Sequence, residues 1–181
     1  ADRVAAGLVG HGSECLAFDD EWSRDHDFGP GFCLWLTEED YTKIGADMQK
    51  AYEELPKQFM GYPARNVSKH GNRRVGVFSI SEFYREFTEN GVWSEMKDEK
   101  LAMAVNGEVF TDPLGEFLAV RRQLQTGMPF EIWKRKLGNA VALTAQSGQY
   151  NYARCQRRKD AVAAGLALQE FVREGMRTAY L

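Results

Sequence analysis

No stretch of this sequence approaches the roughly 18 uncharged apolar residues that a membrane-crossing helix requires. Three cysteines, Cys15, Cys33 and Cys155, are too few and too widely spaced for a disulfide framework or a zinc ribbon. That excludes the small disulfide-stapled class and points to a reducing, cytoplasmic setting. The start, ADRVAAGLVG, lacks a basic segment followed by a long apolar one, so it is not expected to act as a secretory leader. It also lacks an initiator Met, and the end, MRTAYL, stops inside a helical pattern. Both ends are therefore expected to be cuts in a longer chain. Internal repeats and low-complexity tracts are missing as well. Neither charge sign dominates: 23 Lys and Arg stand against 26 Asp and Glu, for a net charge of -3. That balance disfavours nucleic acid and anionic membrane as non-specific partners.

The 181 residues are 44% hydrophobic and 27% charged. These values suit one globular domain, or one domain with a helical appendage. Residues 4–10 are apolar and glycine-punctuated, as in a buried strand. Residues 25–36 are expected as a second strand, interrupted at Gly29-Pro30-Gly31 because Pro has no ladder donor. Thr37-Glu38-Glu39-Asp40 resembles a capping box and opens a helix to about residue 54. Residues 57–72 have loop composition. Residues 74–80 form a β-type run, and Ser81 is expected to cap a helix through Phe87. A short helix near 97–105 and a short strand at Glu108-Val109-Phe110 follow. Asp112-Pro113 suits an N-cap and first helical position for a helix to about residue 125. Two long helices, about 129–155 and 159–179, are expected as a hairpin, with Phe130, Trp133, Leu137 and Val141 on one buried face. The expected class is α+β: a small mixed sheet with helices over residues 1–126, and a helical region over 127–181 packed on that core.

The richest chemistry lies near the start. Gly12-Ser13 ends the first apolar run, and Asp25-His26-Asp27 follows twelve residues later. Glycine allows close backbone approach to a phosphate, and the Ser13 hydroxyl can donate to one. An ordinary strand-end turn has the same composition. On a strand, Asp25 and Asp27 point to one face, with Cβ atoms roughly 6–7 Å apart. Two such carboxylates can hold Mg²⁺ or Mn²⁺ together with water and substrate phosphates. A solvated acidic edge has the same pattern. Glu14, Asp19, Asp20 and Glu21 crowd the same region, and such a cluster repels itself unless solvated or metal-bound.

The pairing of a Gly-Ser turn with an Asp-x-Asp on the next strand resembles the nucleotidyltransferase fold shared by DNA polymerase β and the aminoglycoside nucleotidyltransferases. The wording of GLVGHGSECLAFDDEWSRDHDFGPGF, NGEVFTDPLGEF and QSGQYNYARC is more similar still to a bacterial family, the domain of unknown function 4037. The resemblance implies a nucleotidyltransferase that moves a nucleoside monophosphate from an NTP, ATP foremost, to an unknown acceptor, releasing pyrophosphate. It implies Asp25 and Asp27 as the catalytic metal ligands for Mg²⁺ or Mn²⁺, with Gly12 and Ser13 on the terminal phosphates. The alternative is a non-catalytic nucleotide-binding or regulatory module with an incomplete metal site. Relatives of this fold commonly carry a third carboxylate on a later strand, and here that position is Gly76. Glu82, Glu108 and Asp112 are candidate substitutes, each with a rival role at a helix start or cap. His11 lies near the turn and is a candidate phosphate contact. Lys136 and Arg154 are candidates for the triphosphate, because in this fold a helical region often supplies such a cation. A solvated helix face explains them equally well, and Gln146, Tyr150 and Arg154 share an i, i+4, i+8 spacing.

Overall fold

The structure is a computed structural model that describes residues 2–65, 73–88, 91–93 and 95–181. The chain is α+β and divides into two units, one ending at Gly127 and one over Met128–Leu181.

In the first unit four short strands form a mixed sheet: β1 (Ala5–Leu8), β2 (Cys33–Leu36), β3 (Gly76–Ser79) and β4 (Glu108–Thr111), in the order β3-β2-β1-β4. β1 runs antiparallel to β2 and β4, and β2 runs parallel to β3. The parallel pair needs a crossover, which α1 (Glu38–Glu53) supplies. Thr37 caps α1 by accepting the Asp40 N–H at 3.1 Å. The reciprocal half of the expected box is diverted, because Asp40 pairs with Arg3 at 2.9 Å. Helices α2 (Ile80–Thr88), α3 (Asp98–Val105) and α4 (Glu116–Thr126) complete the unit. One aromatic core joins them to the sheet. Trp35 on β2 is fully buried and stacks on Phe117 of α4 with centroids 3.9 Å apart, while Phe83, Tyr84 and Phe87 of α2 close around them.

Several expectations need correction. The second strand covers only Cys33–Leu36, not 25–36. Asp27 has a left-handed φ of 52° and Gly29 a φ of 132°, so the chain turns there and cannot continue a ladder. Gly29-Pro30-Gly31 ends the irregular segment rather than interrupting a strand. Ser79, not Ser81, caps α2: its hydroxyl accepts the Glu82 N–H, whereas Ser81 donates to Glu38. Helix α4 starts at Glu116, and Asp112 acts a turn earlier, accepting from the Gly115 and Leu118 N–H groups at 3.1 and 2.9 Å. The loop expected at 57–72 lies outside the described residues from 66 onward.

The second unit is helical. Helix α5 (Phe130–Ala145) continues through a π-helical segment (Gln146–Tyr152) into α6 (Ala153–Arg157), and α7 (Ala161–Tyr180) returns along all three. Asp160 caps α7 by accepting the Ala163 N–H. The expected buried face of α5 is rotated. Phe130 and Val141 are exposed, whereas Lys136 and Ala140 are buried. Small residues, Ala140, Ala164 and Ala167, fill the buried positions, so large side chains there are not needed to close the packing. Tyr150 and Arg154 are on the solvent face, with the Arg154 guanidinium 5.4 Å from the Tyr150 ring centre.

Candidate functional site

The first unit contains an open cavity of about 930 Å³. Ser13, Asp25, Asp27 and Arg74 line it, together with Glu14 and the acids of residues 19–21. Exposed rings of Phe18, Trp22, Phe59 and Tyr62 complete the wall.

The Gly12-Ser13 turn follows β1 and leads into a short 3-10 segment, Ser13–Leu16. Asn106, just before β4, fixes its approach: the side chain accepts from the Gly10 N–H and donates to the Gly10 carbonyl, both at 3.0 Å. Arg121 of α4 in turn donates to the carbonyls of Val105, Asn106 and Gly107. Sequence reasoning missed this clamp, since an Asn before a Gly is an ordinary turn signal. Gly12 has a φ of 125°, and a Cβ there would collide with the Glu14 carboxylate, which lies over the bare backbone.

Asp25 and Asp27 line the same cavity without sharing a strand face. Asp25 ends a 3-10 turn, Trp22–Arg24, and its side chain is 69% exposed. It accepts the His26 N–H and pairs with His26 Nδ1 at 2.8 Å. Asp27 is buried and pairs with Arg74 Nη2 at 3.2 Å. Asp20 builds the local turn by accepting from the Trp22 N–H and from the Ser23 N–H and hydroxyl. The Ser23 hydroxyl, and then the Trp22 amide, hold its carboxyl below the usual range.

The position expected for a third acid is Gly76, whose φ of 125° strains any side chain. Two residues earlier the chain delivers a cation, Arg74, to the cavity instead. None of the three candidate substitutes lines the cavity. Glu82 sits in the first turn of α2, Glu108 on exposed β4, and Asp112 in the turn before α4, accepting from its first amides. His11 turns toward α2, with Nε2 2.9 Å from Glu86 Oε1 and its ring centre 5.2 Å from that of Phe87. Lys136 and Arg154 belong to the second unit, Lys136 buried and Arg154 exposed.

Among the described residues no group of three His, Cys, Asp or Glu side chains gathers to hold a metal. Asp25 and Asp27 do offer hard oxygen donors of the kind Mg²⁺ and Mn²⁺ take. That set suits an ion arriving on a triphosphate, with phosphate and water completing its shell, better than an all-protein cage. Among the described residues no helix is long and apolar enough to cross a membrane.

No curated protein and no solved structure matches the chain. A family model does match, over residues 93–181, which include Asn106, Arg121 and the whole second unit but not the Gly12-Ser13 turn or the aspartate pair. Over that segment, just under half of the chain, the match is to the Domain of unknown function (DUF4037) family.

Proposed function

We propose that the first unit has a nucleotidyltransferase-type fold and transfers a nucleoside monophosphate from an NTP, ATP foremost, to an acceptor. One observation carries this reading: Ser13, Asp25 and Asp27 line one cavity of about 930 Å³. That volume falls in the range of small-molecule sites, about 300–1,000 Å³. Exposed aromatic rings at Phe18 and Trp22 offer stacking faces for a base. A Mg²⁺ or Mn²⁺ ion held by Asp25 and Asp27 would neutralise phosphate charge in the transfer. The acceptor oxygen forms a bond to the α-phosphorus, the bond from that phosphorus to the bridging oxygen breaks, and pyrophosphate leaves. The acceptor proton passes to Asp25, whose carboxylate is exposed in the cavity. Three free thiols agree with a cytoplasmic location. The acid-rich wall argues against nucleic acid as the acceptor.

Gly76 and Arg74 favour a second reading, a nucleotide-binding module without turnover, because a glycine stands where the third carboxylate is expected and the cation Arg74 enters the cavity nearby. Pyrophosphate release separates the two. Each of the four NTPs is incubated with Mg²⁺ or Mn²⁺ and fractionated cell extract as the acceptor source. The transferase reading expects release with at least one fraction, lost in the Asp25→Asn, Asp27→Asn double variant. Binding of an NTP with no release from any fraction selects the second reading.

A further inference from the structure

The Glu14 carboxylate lies over Gly12, where the resemblance to nucleotidyltransferases puts a phosphate. It is held there by Arg65, whose Nη2 donates to Glu14 Oε1 at 3.0 Å. The Arg65 side chain is only 10% exposed, against 28% for Glu14. A second anchor fixes the guanidinium, since Nη1 donates to the Gly29 carbonyl at 3.1 Å. Arg65 is thus a preorganised, largely desolvated cation beside a turn with bare backbone. A buried guanidinium needs an anion, because an uncompensated buried charge is costly. Guanidinium forks fit carboxylate and phosphate oxygens alike. Of the two partners, Glu14 is the more exposed, and among the described residues Arg65 is the one side chain that holds it.

We propose that Arg65 is a phosphate-binding residue and that Glu14 is its built-in competitor. In the ligand-free chain the carboxylate occupies the anion position at Gly12. An arriving polyphosphate displaces Glu14, takes over the Arg65 fork, and leaves the guanidinium compensated throughout. The contact therefore sets a threshold for polyphosphate entry. This assignment rests on the reading of the Gly12-Ser13 turn given above, and it adds a cation from a segment that the sequence reading assigned to a loop.

The test is calorimetric titration of inorganic triphosphate into the whole chain with EDTA present, which removes any contribution of metal at Asp25 and Asp27. Glu14→Gln keeps the shape and removes the competing charge, and is expected to bind triphosphate about tenfold tighter than the parent. Asp19→Asn removes the same charge from the same cavity wall and is expected to give no comparable gain. Arg65→Gln should lose binding, and in the Glu14→Gln, Arg65→Gln double variant the gain should vanish. Equal affinity of Glu14→Gln and parent would overturn the proposal, as would an equal gain in Asp19→Asn. Should the Arg65 variants not fold, the comparison of Glu14→Gln with Asp19→Asn still decides. A gain in Glu14→Gln without any Asp25- and Asp27-dependent response to Mg-ATP would remove the transferase reading and leave the Arg65 site standing.

Discussion

Asp25 and Asp27 differ more than their spacing suggests. One is exposed beside a histidine; the other is buried against an arginine. Their two-residue separation carries no shared face once Asp27 adopts a left-handed φ. Side-chain pairing at this scale was the least legible part of the sequence. The ion pairs that define the site join residues 14 and 65, and 27 and 74, across spacings that no local pattern encodes. The cysteines are simpler. Burial pushes the Cys15 thiol up to about 11, with Glu14 adding to the shift, and the Cys33 thiol up to about 12. Thiolate is the reactive form, so alkylation of the native protein at pH 8 should label half-buried Cys155 and spare Cys15 and Cys33. Peptide mapping by mass spectrometry reads this directly, and rapid labelling of Cys33 would contradict it. The same shifts have a stability consequence. Above pH 9, the ordinary value, the unfolded chain loses thiol protons that the folded chain keeps until about 11 to 12. Stability therefore falls as pH rises through that window.

Elements were legible where local chemistry decides them. The Thr37 cap, the β-run at residues 76–79 and the long C-terminal helices follow from caps, branching and periodicity. Boundaries failed where a non-local partner or a special backbone conformation intervened. Residues 25–32 are expected to open the second strand, but Asp27 and Gly29 turn the chain. Asp112 was read as the N-cap of α4, yet the helix begins at Glu116 after a left-handed Gly115, and the carboxylate reaches forward to two amides. Asp112→Ala takes the carboxylate from the Leu118 N–H and leaves the Gly115 N–H only the residue 112 carbonyl, and should cost about 1 kcal/mol. Chemical denaturation measures it, with a lower midpoint and an unchanged slope as the expected result. The buried face of α5 failed for a different reason. Small alanines and Lys136 occupy it, and a rule that searches for large apolar residues selects the wrong arc.

The whole molecule joins an α+β unit that carries the cavity to a helical unit. The family match covers the second unit and the part of the first that holds Asn106 and Arg121. Those two residues lock the loop that presents Gly12 and Ser13, so the matched segment braces a site whose chemistry lies upstream. Class and rough element order were readable from composition and periodicity; Ser13, Asp25 and Asp27 line one cavity through a 3-10 turn and a left-handed residue, not through the strand face the spacing suggests. The central claim is that this cavity holds an NTP through the aspartate pair. The melting temperature of the parent chain should rise by several degrees, about 1–3 kcal/mol of binding linkage, with saturating Mg-ATP. Asp25→Asn combined with Asp27→Asn should abolish the metal-dependent part of that gain. An unchanged Mg-ATP shift in the double variant would contradict the account.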